Sequence, residues 1–167
     1  MAQQDRKDLF VSWLKDAYSM EQSIAQVLEN HVKDAKDHPQ LQAGLQQHLE
    51  QTRHHAELDK ACLERLGESP STIKSTMANV MGTLQGMATG MAKDELVKNA
   101  IADYSTEYFE IASYHALIRA AQELSQPECV LTFQQILREE EDMASWLNEQ
   151  LPMLVQETLQ QGGSSTS

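Results

Sequence analysis

The stretch TEYFEIASYHALIRAA, residues 106–121, spaces Glu107, Ile111, Tyr114, Ile118 and Ala121 at alternating intervals of four and three. That is the period of one face of an α-helix packed in a bundle. Carried back through Tyr104 and Ala100, the face predicts a helix from about Asp94 to Leu124. A carboxylate, Glu107, fills a slot the pattern reserves for an apolar side chain, and Glu110 lies one turn further on the same side. A carboxylate in a core must be hydrogen-bonded, paired or bound to a cation, or it holds a proton.

Three other segments repeat this theme. From about Asp8 to Lys33 the seam reads Phe10, Leu14, Ala17, Ile24 and Leu28, with Glu21 in the intervening slot. From about Pro39 to Leu66 it reads Leu41, Leu45, His48, Thr52, His55, Asp59, Cys62 and Leu66, apolar at both ends and polar in the middle. Pro39 suits a first helical turn, and Gly67 is placed to stop the helix. From about Pro127 to Leu151 the seam Val130, Phe133, Leu137, Ala144, Leu147, Leu151 is broken at one slot, Glu140. Its neighbours Glu139, Glu141 and Asp142 read as a solvated face. His31 and His38 read as bordering the end of the first helix and the loop after it.

Ser125, Gln126 and Pro127 form a short connection, so the last two helices should be antiparallel neighbours. Residues 68–93, rich in Met, Gly, Ser and Thr, are too long for a turn and predict a crossover. Ser71 or Thr72 could cap a short helix there through Met81, with Met77, Met81, Met87 and Met91 packing adaptably. Two helices, a long crossover and two more helices is the connectivity of ferritin-like folds. The expected architecture is therefore an all-α, ferritin-like four-helix bundle forming a single domain over residues 1–160, with a disordered tail at 161–167.

Composition removes several function classes. The 13 Lys and Arg residues face 25 Asp and Glu, a net charge of -12 that would repel a phosphate backbone, so nucleic acid is not an expected partner. No run approaches the ~20 apolar residues that span a bilayer. The sequence MAQQDRKDLF lacks the layout of a signal peptide, which makes the cytoplasm the expected compartment. Cys62 and Cys129 stand without CxxC spacing and read as buried, reduced thiols.

Mid-helix positions meet at one level in an antiparallel bundle, so Glu21, Glu107 and Glu140 should converge, with Glu110 beside Glu107 and His55 facing them. Converging carboxylates repel unless protons or cations compensate, which is why a di-iron or di-manganese centre uses this arrangement. The usual set is one Glu from each of two helices and Glu-x-x-His from each of the other two. Two departures weaken occupancy: three residues after Glu140 stands Met143, and the second helix offers His48, Gln51 and His55 with no carboxylate among them. His48, Gln51, Tyr104 and Tyr114 are alternative ligands or supports, and a hydrogen-bonded polar layer is an open alternative for the second helix.

The segments DAYSMEQSI (16–24), QQHLEQTRHH (46–55), TEYFEIASYHAL (106–117) and LREEEDMASWL (137–147), with IKSTMANVMG (73–82) between them, resemble in order and spacing the YciE/YciF family of bacterial ferritin-like stress proteins, also known as DUF892. The resemblance covers nearly the whole chain and is closer to the YciE branch. It implies a ferritin-like bundle, a homodimer, a link to stress and a dinuclear metal centre. By position, Glu21, Glu107, Glu110 and Glu140 match the family's acidic residues. Where the family has Glu-Thr this chain has Gln51-Thr52, and His55 stands where the family tends to have Gln. A neutral amide removes charge from a hard-cation site, and His55 can restore one ligand.

The expected function is therefore that of a stress-response protein binding two iron or manganese ions through Glu21, His55, Glu107, Glu110 and Glu140, with O2 or H2O2 as reactant. The alternative is a non-catalytic structural or interaction dimer. It would keep the polar layer without functional metal, its carboxylates protonated or bonded to His48, His55 and the tyrosines.

Overall fold

Phe10, Leu14, Ala17, Glu21, Ile24 and Leu28 all point inward from one helix, α1 (Gln3–Asp34). A 3-10 turn, Ala35–Asp37, leads to α2 (Pro39–Arg65), and α3 (Glu95–Glu123) and α4 (Pro127–Gly163) complete the bundle. The computed structural model describes residues 2–70 and 94–163. The expected crossover helix and its methionines lie outside the described residues.

Side-chain pairs fix the helix directions. Arg6 at the start of α1 pairs with Glu123 at the end of α3, while His31 near the end of α1 meets Asp103 near the start of α3. Lys7 bonds the Leu66 carbonyl, Arg65 pairs with Glu128, and His38 pairs with Glu157. Thus α1 is antiparallel to α2 and α3, α4 is antiparallel to both of those, and α2 and α3 run the same way. Packing is closest within the pairs α1–α2 and α3–α4.

Two helix ends close with left-handed residues. Gly67 (φ 79) follows α2, with Glu68 N–H bonding Leu63 C=O and Gly67 N–H bonding Glu64 C=O, a Schellman stop that satisfies carbonyls the helix leaves free. Ser125 (φ 54) plays the same part after α3, with Gln126 N–H on Ala121 C=O. Pro127 then opens α4 in the position where a missing N–H costs nothing. That helix passes Pro152 and continues to Gly163, well beyond the expected end at Leu151. Residues 164–167 lie outside the described set.

Apolar layers occupy both ends of the bundle, with Phe10 packed edge-on to Phe133 at 6.4 Å between ring centres. On α3 the buried stripe differs from the expected one. Tyr104, Ile111 and Ile118 are only half-buried, whereas Asp103, Thr106, Glu110 and Leu117 face inward. The inward stripe of α3 is so polar that a seam traced through apolar residues is rotated toward one edge of it. None of the described helices is long and apolar enough to cross a membrane.

Candidate metal centre

The middle of the bundle is a buried acidic layer to which every helix contributes. Glu21 comes from α1, His48 and His55 from α2, Glu107 and Glu110 from α3, and Glu140 from α4, each at most 1% exposed. Their donor atoms form two groups, His48, Glu107, Glu110, Glu140 and Glu21, His55, Glu140, and within each group all lie within 4.8 Å of one another. Glu140 belongs to both. His48 Nε2 is 3.0 Å from Glu107 Oε1 and 3.9 Å from Glu140 Oε2. His55 Nδ1 is 2.7 Å from Glu140 Oε1 and 3.8 Å from Glu21 Oε2.

These contacts are close but not aligned as hydrogen bonds. Both oxygens of Glu110, both of Glu140, Glu21 Oε2, Glu107 Oε2 and both ring nitrogens of His48 are buried without a hydrogen-bond partner. Unpaired buried polar atoms are costly, and here they are clustered within the two groups. Hard carboxylate oxygens with imidazole nitrogens suit a metal such as iron or manganese, and the two groups would hold a pair of ions, with Glu140 available to both. Met143, in the slot after Glu140 where histidine is usual, is buried but offers no hard donor. His48 supplies the imidazole from α2 instead.

Without cations the layer balances itself with protons. Burial, then the charge of Glu140, holds the carboxyls of Glu107 and Glu110 well above the usual range, and burial with Glu140 does the same to Glu21. Burial alone would lower His55, but the Glu140 contact and the charges of Glu21 and Glu140 outweigh it and raise it to about 10. The same contact keeps Glu140 below its ordinary value despite burial. Burial lowers His48.

Supporting groups surround the donors. Tyr114 Oη donates to Glu21 Oε1 at 2.6 Å and lies 3.0 Å from Asp59 Oδ2. His55 Nε2 lies 2.8 Å from Glu139 Oε2, which directs Nδ1 toward the centre. Glu139 is thus not part of a purely solvated face: on the α4 edge facing α2 it is half-buried. On the same side a cleft of about 260 Å³, walled by Gly44, Gln51, Glu139, Met143 and Trp146, reaches His48 from the surface.

The five expected ligands, Glu21, His55, Glu107, Glu110 and Glu140, are therefore brought together, and His48 joins them among the donors. Gln51 is half-buried in the cleft wall. Tyr114 supports Glu21, while Tyr104 stands apart with its hydroxyl near Tyr108 at 3.4 Å and Asn148 at 3.5 Å. Besides Glu139, two residues escaped sequence reasoning. His31 is buried against Asp103, its Nδ1 2.8 Å from Asp103 Oδ1, one helical turn before Glu107. Asp103 sits four residues before Glu107, on the same side of α3, but its partner comes from another helix.

Comparison with known proteins agrees with this fold. The family described as "Domain of unknown function (DUF892)" matches residues 5–160. A crystal structure of a protein from Xanthomonas campestris pv. campestris is 30% identical, with a TM-score of 0.81, over 95% of this chain and 99% of that one. The Escherichia coli stress protein YciF is 24% identical, with a TM-score of 0.76, over 90% and 97%. Desulfovibrio desulfuricans bacterioferritin, solved with its diiron site in different catalytic states, is 21% identical, with a TM-score of 0.73, over 93% and 85%. The bundle is ferritin-like.

Proposed function

The chain belongs to the DUF892 family, and on that footing we propose that it is a stress-response protein that holds two iron or manganese ions between its four helices and acts on O2 or peroxide. The observation that carries the reading is the pair of buried donor groups sharing Glu140, whose atoms lie within 4.8 Å of one another in each group and mostly lack hydrogen-bond partners. His48, Glu107 and Glu110 would hold one ion, Glu21 and His55 the other, and Glu140 both. A bound pair of this kind supplies electrons to an oxygen reactant.

The chain's own residues prepare the site. Glu139 fixes the His55 tautomer by accepting its Nε2–H, and Tyr114 fixes Glu21 by donating to Oε1, which leaves Oε2 free. Near-complete burial excludes bulk water, and the cleft beside His48 gives a small solute its way in. All six donors come from one chain, so a homodimer would not be needed to complete the centre. The stress description of YciF and the diiron site of the bacterioferritin support the reading by analogy.

The test is metal analysis of protein purified without chelator, with anomalous diffraction at the iron and manganese edges. Bound metal in the wild type and its loss in Glu107→Ala are expected. Wild-type protein that stays metal-free, with a Tm unmoved by iron or manganese, would sink the proposal in favour of a non-catalytic interaction protein.

A further inference from the structure

The cleft that reaches His48 between α2 and α4 is graded from its rim inward. Gln47 and Asp142 stand exposed at the rim, Gln51 and Glu139 are half-buried on the walls, and His48 and Met143 form the buried floor. No lysine or arginine lines it. Glu139 has both oxygens engaged, Oε2 with His55 and Oε1 accepting from Gln135, so its charge is fixed in the wall. Asp142 has no hydrogen bond or ion pair among the described residues. On the floor, His48 is 1% exposed with neither ring nitrogen hydrogen-bonded, and it also belongs to the donor group of Glu107, Glu110 and Glu140. One imidazole is thus shared by the cleft and the acidic centre.

We propose that this cleft admits the metal itself, as a hydrated divalent cation gathered by Asp142, stripped of water against Gln51 and handed to the centre by His48. The inference rests on the metal reading. A cleft lined by one sign of charge between low-dielectric walls concentrates ions of the opposite sign, whereas a neutral solute such as O2 or H2O2 gains nothing from it. Passage needs donors that replace hydration without holding the ion, which the neutral carboxamide oxygen of Gln51 does and a free carboxylate there would not. Met143 offers the floor only a soft thioether, a poor ligand for a hard cation, so it does not compete with His48. His48 Nε2, 3.0 Å from Glu107 Oε1, places the arriving ion beside its next donor. Asp142 acts on the rate of filling, not on the filled centre.

The experiment mixes full-length, metal-free protein with ferrous iron in the absence of oxygen and adds a ferrous chelator at successive times, which measures how fast iron passes out of the chelator's reach. Iron content at equilibrium is read alongside. Asp142→Lys should slow uptake about tenfold at low salt, and Asp142→Asn about threefold, the square root that half the change in charge gives. Both should reach the wild-type iron content, and the differences should shrink at about 0.5 M salt, where screening is strong. Glu64→Lys makes the same change in charge thirteen residues beyond Gln51 on α2, about 20 Å away at 1.5 Å per residue, and should load at close to the wild-type rate. Asp142→Lys that loads as fast as wild type, or a slowing matched by Glu64→Lys, overturns this inference alone. So does an Asp142 variant that holds less iron at equilibrium, which would make Asp142 a ligand rather than a guide. A wild type that takes up no iron overturns it together with the metal reading.

Discussion

His55 Nδ1 lies 2.7 Å from Glu140 Oε1, at the point where the two donor groups meet. This pair is the internal substitute for a cation. Metal must expel the His55 proton, held up to a value of about 10, and the protons on Glu21, Glu107 and Glu110, whose carboxyls burial keeps well above the usual range. Apparent metal affinity should therefore rise with pH, by about tenfold per unit for each proton released. Manganese titrations at several pH values in lightly buffered solution, with an indicator dye reporting released protons, check this. An affinity that does not change with pH contradicts it.

Glu110 has both carboxylate oxygens buried and unpaired, and neighbouring carboxyls add to its burden. A buried polar group left without a partner costs about 1–3 kcal/mol, which an apolar side chain of similar size recovers. Glu110→Leu should raise the metal-free Tm by several degrees, roughly 5 °C for a chain of this size. It should also abolish the Tm rise that manganese gives the wild type. Thermal unfolding with and without metal reads both effects, and a variant less stable than metal-free wild type would argue that Glu110 has partners the structure does not show.

His31 and Asp103 form a second buried pair, 2.8 Å apart. Burial alone would lower His31, but the hydrogen bond and charge of Asp103, with Asp34 and Glu95, outweigh it and raise it above 6.5. A histidine raised on folding gives stability that is full below the unfolded value and is lost as pH rises through the folded one. Removing one partner of a buried pair costs about 3–5 kcal/mol. Asp103→Asn should therefore destabilise most below the free histidine value of about 6.5, and the gap to wild type should narrow as pH rises through the raised folded value. Denaturant unfolding across that range measures the gap; one that stays constant would mean the pair is neutral.

The acidic layer was legible because Glu21, Glu107 and Glu140 interrupt otherwise apolar seams, and a 3.6-residue period puts such interruptions in the core. The α2 seam was legible for the same reason, including Asp59. What escaped depended on contacts between helices. Glu139 is reached by His55 across the α2–α4 boundary, and His31 meets Asp103 across α1–α3. No spacing within one helix encodes these distances. The rotation of the α3 stripe has another cause: Asp103, Thr106 and Glu110 are polar yet buried on its inner face, so hydrophobicity points to the wrong edge. The length of α4 escaped because Pro152 reads as a stop, yet the helix passes it.

Gly44 on α2 carries the indole of Trp146, and a Cβ placed there would clash with the edge of the indole ring. Alanine for glycine inside a helix ordinarily gains about 1 kcal/mol. Here the indole must leave its seat, which gives up part of its burial and packing at about 2 kcal/mol. The second effect is the larger, so Gly44→Ala should destabilise by about 1 kcal/mol, the difference of the two. Because Trp146 and Gly44 also wall the cleft to His48, the same change should expose the ring and widen that entrance. Trp13 is 47% exposed and would mask the signal, so the measurement belongs in a Trp13→Phe background. There the emission of Gly44→Ala should shift to the red, acrylamide quenching should increase, and iron should load faster. An unshifted emission together with a gain in stability would show that the indole does not depend on Gly44 for its place.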